Sequence, residues 1–233
     1  MTPGSSTSLH PLDYPVWTAL TTTQRALAEG GALARRYPVP CAPFAALAEM
    51  SAECFAALDA LMAPREIAVL FTPDAVSAPD TFKVRLAETG EQMIGTPAEA
   101  PARGVEIATL GIDDVPAMME LTTLTKPGSF GVRTHELGTF LGIRIGGRLV
   151  AMAGERMKAV NHTEITALCV HPSYRRRGYG RMLLSAVSQR IVARGEIPFL
   201  HVLSSNVSAV ALYRRQGMET RRRLLITVLK KPA

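Results

Sequence analysis

The 233-residue sequence is poor in cysteine, in aromatic residues and in long apolar runs, and each shortage excludes a class of protein. Its three cysteines (Cys41, Cys54 and Cys169) are odd in number and lie far apart, so neither a disulfide framework nor a cysteine-bound metal is expected. No apolar run approaches the roughly 18 residues of a membrane-spanning helix. The first residues lack a basic start and an apolar stretch, so no secretory signal is expected. These shortages predict a cytoplasmic protein that holds no metal and does not enter a membrane.

What the sequence does contain is an uneven distribution of charge. Residues 1–103 carry 7 Lys and Arg against 11 Asp and Glu, whereas residues 104–233 carry 19 against 9. A basic half favours an anionic partner, such as nucleic acid, a membrane surface or a phosphorylated small molecule. Nucleic acid is not expected, because only 6% of the residues are aromatic and no stacking aromatics accompany the arginines.

Proline content and charge both change near residue 103, where we predict a domain boundary. Before it, the pattern predicts a helix after Ser51 and a buried strand at 66–71. Residues 72–104 contain four prolines and predict only weak strand and linker. After it, the order β-α-β-β-β-α-β-α-β predicts an α/β fold with a mixed sheet. We therefore predict an α+β N-terminal region, 1–103, of unknown role, followed by an α/β domain, 104–233.

The segment Arg175–Gly180 follows a predicted strand at 164–170 and leads directly into a predicted helix. Gly178 and Gly180 let the backbone approach a ligand closely, because they have no Cβ atom. The start of the helix adds unpaired N–H groups and a partial positive charge. Together these features predict an anion-binding cradle suited to a pyrophosphate. The Rossmann fingerprint fits less well and a Walker A loop not at all, since G-x-G-x-x-G and G-K-[ST] are both missing.

Two segments resemble the motifs of the GNAT N-acetyltransferases. The first is Val170-His-Pro-Ser-Tyr-Arg-Arg-Arg-Gly-Tyr-Gly180, and the second is Asn206-Val-Ser-Ala-Val-Ala-Leu-Tyr-Arg-Arg-Gln-Gly-Met218, in which the family has Phe in place of Met218. The resemblance covers about residues 104–233 and is closest to the FR47-like branch. It implies the acyl-CoA N-acyltransferase fold, with a mixed central sheet in which the coenzyme A strand splays from its neighbour. Residues 1–103 match no motif of the family; in some relatives such a region is a decayed second copy of the fold.

The resemblance implies binding roles for the residues that match the motifs. Backbone groups of Leu168 and Val170 would pair with the pantetheine arm of acetyl-CoA, and Asn206 would both hydrogen-bond that arm and cap its helix. The pyrophosphate would be bound by a longer run of residues. That run comprises Arg175, Arg176, Arg177, Gly178, Tyr179, Gly180 and Arg181.

The resemblance also implies two catalytic residues. Tyr213 matches the residue that protonates the leaving thiolate, and a phenol with a pKa near ~10 still carries its proton at neutral pH. Glu164 resembles the glutamate of the histone-acetylating enzymes and is the candidate base. Two-residue alternation along the strand predicts that Glu164 lies on the same side as Leu168 and Val170. The alternative for Glu164 is an exposed carboxylate at the strand end.

The predicted function is therefore direct transfer of an acetyl group from acetyl-CoA to a primary amine in a ternary complex. Glu155, His201 and a water relay are reserve candidates for the base. The alternative function is a coenzyme A-binding sensor or interaction module without catalysis. The acceptor, a small molecule or a peptide, is chosen in this family by the segment that here is about 126–138 and by the last strands, and the sequence does not identify it. The oligomeric state is likewise not indicated.

Overall fold

The computed structural model describes residues 10–100 and 104–233. The α-helices of these residues are α1 (Pro15–Thr21), α2 (Ala52–Leu61), α3 (Val115–Thr125), α4 (Tyr179–Ala193) and α5 (Val207–Arg215). The strands are β1 (Glu29–Gly30), β2 (Ala34–Arg36), β3 (Ala45–Leu47), β4 (Ile67–Thr72), β5 (Lys83–Ile94), β6 (Ala108–Leu110), β7 (Phe140–Ile145), β8 (Arg148–Ala159), β9 (His162–Val170), β10 (Ile197–Leu203) and β11 (Glu219–Lys230). Within these ranges, every helix is too short or too polar to cross a membrane.

Eight strands form one mixed sheet in the order β4-β11-β5-β10-β9-β8-β7-β6. Adjacent strands of this sheet are antiparallel, apart from β9 and β10, which are parallel. The three short strands β1, β2 and β3 form a separate antiparallel sheet. The predicted α/β fold with a mixed sheet is confirmed.

The large sheet is covered on both faces, which we call the α4 face and the α3 face. On the α4 face, Leu183, Val187 and Ile191 recur at helical spacing and are fully buried against the sheet. On the α3 face, α3 buries Met118 and Leu121. The N-terminal region covers the same face further along, through a second apolar core that includes α1. The site described below is built on strands of this sheet and on the starts of α4 and α5.

Strand β5 comes from before the predicted boundary and yet lies inside the sheet, between β10 and β11. It pairs with β10 from Phe199↔Ile94 to Leu203↔Gly90 and with β11 along its whole length. Strand β4 adds to the outer edge of β11. The region predicted as weak strand and linker thus contains a twelve-residue strand. The sheet takes strands from both sides of residue 103, and the division into two domains there stays a prediction.

Buried hydrogen bonds fasten the N-terminal region to the α3 face. The Gln24 amide donates to the Arg156 carbonyl at 2.8 Å, and its oxygen accepts from the Lys158 amide at 2.9 Å. The same oxygen accepts from the Tyr37 hydroxyl at 2.5 Å. Because both ends of the buried amide are hydrogen-bonded, this contact fixes the N-terminal region on β8.

The position of β5 leads to a prediction about truncation. A chain of residues 104–233 lacks the strand that hydrogen-bonds to both β10 and β11, so two strand edges lose their partners. We expect this fragment not to fold cooperatively, as measured by circular dichroism melting and gel filtration.

The matched control moves β5 to the other end of the fragment. Because Lys230 pairs with Lys83, a short turn after residue 231 followed by residues 82–96 would place the same strand between β10 and β11. We expect this rearranged fragment to be more structured than residues 104–233 alone. A cooperative melt of 104–233 without the added strand would contradict the prediction.

Candidate active site

Strands β9 and β10 pair over three residues and then separate. Their parallel register runs from Ile197↔His162 to Phe199↔Glu164. Within the described chain, no further backbone pairing joins the two strands. Residues 165–170 of β9 and 200–203 of β10 therefore border an open space, which we call the cleft. The splayed sheet that the resemblance implied is present.

A bulge in β9 marks the point of separation. Ala167 has a φ of 51°, in the left-handed region that a residue with a Cβ seldom adopts. The pairing with β8 shifts between Gly154↔Thr166 and Met152↔Cys169, so two residues of β9 stand opposite one of β8. A bulge bends its strand and increases the local twist, which turns the end of β9 away from β10.

The bulge also changes which side chains share a side of the sheet. Strict alternation predicted that Glu164 lies on the same side as Leu168 and Val170, and this prediction was wrong. Leu168 and Val170 pack against the core under α4. Glu164 instead points to the α3 face, where its partner Arg156 lies over the ring of Phe44. The extra residue at the bulge reverses the alternation.

The backbone of Leu168 and Val170 faces the cleft, as the resemblance implied. The His171 amide donates to the Val150 carbonyl of β8 at 2.8 Å. Because neighbouring residues of a strand turn their backbone groups to opposite edges, Val170 and then Leu168 direct theirs away from β8. These groups can pair with an extended chain in the cleft.

The loop between β9 and α4 forms the predicted cradle. Gly178 caps α4 with a φ of 86°, and Arg176 before it has a φ of 60°. Both conformations are left-handed, which turns the loop sharply into the helix. The amides of residues 176–181 have no protein acceptor within the described ranges, so they form a row of free donors at the positive end of a helix. Such a row of donors suits an anion, for example a pyrophosphate.

The arginines of the cradle contact carbonyl oxygens and an aromatic ring. Arg175 donates from Nε to the Val170 carbonyl at 3.4 Å, and Arg181 donates to the Glu99 carbonyl at 3.4 Å. The Arg177 guanidinium lies 5.0 Å from the centre of the Tyr174 ring. In the part of the chain that the structure describes, these arginines and Arg176 form no ion pair with a carboxylate. They add a positive field around the free amides.

Two other residues of the motif differ in what they contribute. The Tyr179 side chain is buried in the core under α4, so this residue can reach an anion only through its amide. At Gly180, an added Cβ would meet only Val170 Cγ2, at an ordinary 3.7 Å. The fold itself therefore does not require glycine at position 180, and the open space before it is available to a ligand.

Asn206 caps α5 at the mouth of the cleft. Its side-chain oxygen accepts from the Ala209 amide at 3.2 Å and from the Ser208 hydroxyl at 3.1 Å. Its side-chain nitrogen has no acceptor among the described residues. The capping role is confirmed, and the free N–H groups leave the second predicted role open.

Tyr213 lies on α5 and packs, half-buried, against the core under α4. Burial raises its pKa to about 12, with a smaller contribution from the Cys169 thiol. Burial likewise raises the pKa of Cys169 to about 11. Both groups are therefore protonated at neutral pH, so Tyr213 can donate a proton and Cys169 is a poor nucleophile.

Glu164 is completely buried and fully engaged by partners. Its oxygens accept from Arg156 at 2.8 and 3.0 Å, and one of them lies 2.9 Å from His201 Nδ1. Burial would raise the pKa of this carboxyl, but the Arg156 charge and the hydrogen bonds from His201 and Arg156 outweigh burial and hold the pKa at about 2. The predicted alternative, an exposed strand-end carboxylate, does not describe it.

The polar contacts continue from His201 to the N-terminal region. Gln92 Nε2 lies 3.1 Å from His201 Nε2 and donates to the Leu12 carbonyl at 2.8 Å. The Gln92 oxygen accepts from Arg221 at 2.8 Å, and Arg221 pairs with Asp13 at 2.6 Å. Since Gln92 donates, the ring nitrogen facing it accepts, and Nδ1 donates to Glu164.

The sequence did not indicate the partners of Glu164. Arg156 lies on the neighbouring strand of a hairpin, and only the shifted register between β8 and β9 brings it opposite Glu164. Gln92 lies on β5, which comes from another part of the chain. The reserve candidate Glu155 lies elsewhere, because it is buried and pairs with Arg194 beyond the C-terminal end of α4. Among the described residues, no group of His, Cys, Asp or Glu side chains is arranged to hold a metal ion.

Comparison with known proteins shows that this splayed sheet with its cradle is the fold of an acyltransferase. The family model described as "Acetyltransferase (GNAT) family" matches residues 115–218. A solved protein assigned to this family, from Novosphingobium aromaticivorans, is 38% identical over 97% of this chain and 100% of its own, with a TM-score of 0.88. A GCN5-related N-acetyltransferase from Kribbella flavida shares the fold at 18% identity over 94% of this chain and 96% of its own, with a TM-score of 0.65.

Among curated proteins, the N-alpha-acetyltransferase RimI of Mycobacterium tuberculosis is 36% identical over 85 residues. The match covers 34% of this chain and spans about half (51%) of the length of that relative. The chain belongs to the GNAT acetyltransferase family and is an acyltransferase. Its assignment to the FR47-like branch stays a prediction.

The environment of Glu164 leads to a prediction about acid stability. Its pKa falls from 4.5 to about 2 on folding, so the unfolded chain binds more protons between these values. The contribution of Glu164 to stability, about 3 kcal/mol, is present above pH 4.5 and is lost as the pH falls towards 2. We expect Glu164→Gln to cost about 3 kcal/mol at pH 7, because it leaves Arg156 buried without a counter-charge.

Urea unfolding at pH 7 and at pH 3.5 measures both effects. The variant should lose less stability between these two pH values than the wild type does. The matched control is Glu219→Gln, which changes an exposed carboxylate on β11 and should alter neither quantity. Equal unfolding free energies for Glu164→Gln and the wild type at pH 7 would contradict the prediction.

Gly180 allows a second prediction. Gly180→Ala should leave the melting temperature unchanged or slightly raised, because the added methyl group has room and alanine favours the helix. It should weaken the binding of coenzyme A at least tenfold, because the methyl group fills space beside the free amides. Isothermal titration calorimetry measures the affinity. Gly111→Ala, which also adds a methyl group in open space, is the control, and equal affinities of the two variants would refute this reasoning.

Proposed function

We propose that this protein transfers an acetyl group from acetyl-CoA to a primary amine. The observation that carries the proposal is the combination of the cleft with the cradle at its open end. The cleft offers an unpaired strand edge on β9, and the cradle offers unpaired amides at the start of α4. The β9 edge of the cleft suits an extended amide-containing chain, and the cradle suits a pyrophosphate. Acetyl-CoA contains both groups.

The residues of this chain fit each part of that substrate. Residues 176–181 would bind the pyrophosphate through their amides, with the cradle arginines adding charge. The backbone of Leu168 and Val170 would pair with the pantetheine arm, and the free amide nitrogen of Asn206 would donate to it. Acetyl-CoA supplies the activated thioester. The chain supplies binding, orientation and proton transfer.

The chemical step is a direct exchange of one bond for another. The lone pair of the acceptor nitrogen forms the new C–N bond to the acetyl carbonyl carbon, and the C–S bond breaks with its electrons on sulfur. Tyr213 donates its proton to the thiolate and recovers one from solvent. A covalent intermediate on Cys169 is not favoured, because its thiol is protonated at neutral pH.

The acceptor nitrogen must lose a proton before or during attack. Glu164 is the base that the resemblance implies, but its pKa of about 2 and its contacts with Arg156 and His201 make it a weak and occupied base. These surroundings favour the water relay for removing the proton. In this proposal Glu164 does not accept the proton; it stabilises the packing of the α3 face through its contacts with Arg156 and His201.

The predicted role of Tyr213 is tested by removing only its hydroxyl group. We expect Tyr213→Phe to lower kcat about a hundredfold, because the thiolate then leaves without a proton donor. The dissociation constant for acetyl-CoA should stay within about twofold, since the ring remains packed. Steady-state kinetics with thiol detection, together with calorimetry, separate the two quantities.

Tyr14→Phe is the matched control, because it removes the hydroxyl of a tyrosine that is 40% exposed and lies in the N-terminal region. It should leave both quantities unchanged. An unaltered kcat for Tyr213→Phe would remove this residue from the mechanism. A large loss of coenzyme affinity would assign Tyr213 to binding instead.

A further inference from the structure

Strand β5 extends beyond β10 and leaves a free edge where the cleft opens. The pairing of β10 with β5 ends at Leu203↔Gly90, with one more hydrogen bond from the Ser204 amide to the Thr89 carbonyl at 2.9 Å. Within the described ranges, residues 83–88 pair with β11 alone. Because β5 is antiparallel to β10, this half of β5 lies at the same end of the sheet as the open half of β9. The free edge therefore borders the open end of the cleft, on the side of β10 that is opposite to β9.

The free edge presents backbone donors and acceptors to the cleft. The Thr89 carbonyl points towards β10, since it accepts from Ser204. By alternation, Ala87 turns its N–H and C=O in the same direction, away from β11. The side chains from Lys83 to Ala87 are exposed, so no layer of the described protein covers this segment. Such an edge can accept another strand.

We propose that the acceptor is an extended polypeptide whose backbone pairs with residues 85–88 of β5 while its N-terminal amine reaches into the cleft. This inference rests on the proposed acetyl transfer and specifies the class of amine. Ala87 lies three residues, roughly 10 Å, beyond the last residue pair between β5 and β10. The first residues of the polypeptide would therefore lie in the cleft, and those from about the fourth onward would reach the edge.

Charge favours an acidic polypeptide along this edge. Lys83 and Arg85 are exposed and form no ion pair with another described residue. The carboxylate of the region, Glu88, accepts a hydrogen bond from the Ser205 hydroxyl at 3.2 Å. Acidic side chains beyond the third position of the acceptor would meet the two free cations.

The same features disfavour a second copy of this chain as the occupant. The pairing of β5 with β11 is irregular at Arg85, between Leu86↔Val228 and Val84↔Leu229. An irregularity and a lysine on a free edge both oppose pairing with an identical edge, and two copies would bring like charges together. An acidic peptide brings opposite charge to Lys83 and Arg85, and it meets one irregular edge where a second copy would bring two.

The test uses the full chain and a set of hexapeptide amides with a free N-terminus and the sequence Ala-Thr-Val-Glu-Val-Glu. Each member carries one backbone N-methyl group, at the third, fourth, fifth or sixth residue. In a paired strand, only alternate N–H groups face the neighbour. We expect kcat/KM, measured by thiol release, to fall about tenfold for methylation at alternate residues and to change little at the residues between them. Small amines, alaninamide and spermidine, should be poorer acceptors than the unmodified peptide.

Two protein variants test the same edge from the other side. Ala87→Pro removes the N–H that faces the cleft and should raise KM for the peptide about tenfold without changing kcat or the affinity for coenzyme A. Ala87→Thr keeps that N–H and is the matched control. Arg85→Glu should raise KM for the glutamate peptide and lower it for the same peptide with lysine in place of glutamate.

The outcomes separate this inference from the proposed function. Transfer to small amines but not to peptides would overturn the inference alone, as would a uniform response to N-methylation at all four positions. Gel filtration that shows a dimer disrupted by Ala87→Pro would assign the edge to a second copy and overturn it as well. Absence of transfer to every amine in the set would overturn the proposed function and the inference with it.

Discussion

The site depends on the pairing of β10 with β5. Strand β10 can leave β9 after Phe199 because β5 satisfies the other edge of β10 from Ile94 to Gly90. Without that strand, residues 200–203 would have no backbone partner on either side, and an unpaired buried edge is costly. The cleft is therefore stabilised by a strand from a distant part of the chain, which pairs with the edge of β10 that faces away from β9. The same strand supplies Gln92 to the polar network and the free edge near Ala87.

The two faces of the sheet carry different kinds of functional and structural groups. The α4 face carries the groups that the proposed function assigns to acetyl-CoA, namely the cradle, the backbone of Leu168 and Val170, and Tyr213. The α3 face carries the buried ion pair of Glu164 and Arg156, which joins the sheet to the N-terminal region through Phe44 and His201. The bulge at Ala167 separates these roles along one strand, because it reverses the alternation between Glu164 and Leu168.

Local features of the sequence predicted much of the fold and the donor site. The helix after Ser51, the strand at 66–71 and the β9–loop–α4 segment follow from periodicity, caps and glycines that lie within a few residues of one another. The two motifs then identified the family. The long strand β5 was not predicted, since half of it is exposed, Gly90 interrupts it and prolines flank it. The side of the sheet on which Glu164 lies was predicted wrongly, because a bulge depends on the register with β8 and leaves no signature in the β9 sequence.

The sequence by itself determined the identity of the family and the loop that forms the cradle. Both depend on short-range features, namely motif residues at fixed spacing and a left-handed glycine before a helix. Only the tertiary structure decided that the strand at 83–94 lies beside β10. It also decided that Glu164 is buried against Arg156 and that an edge of β5 is left free. These features depend on pairing between residues far apart in the chain, and local patterns do not specify which distant strand fills a gap in a sheet.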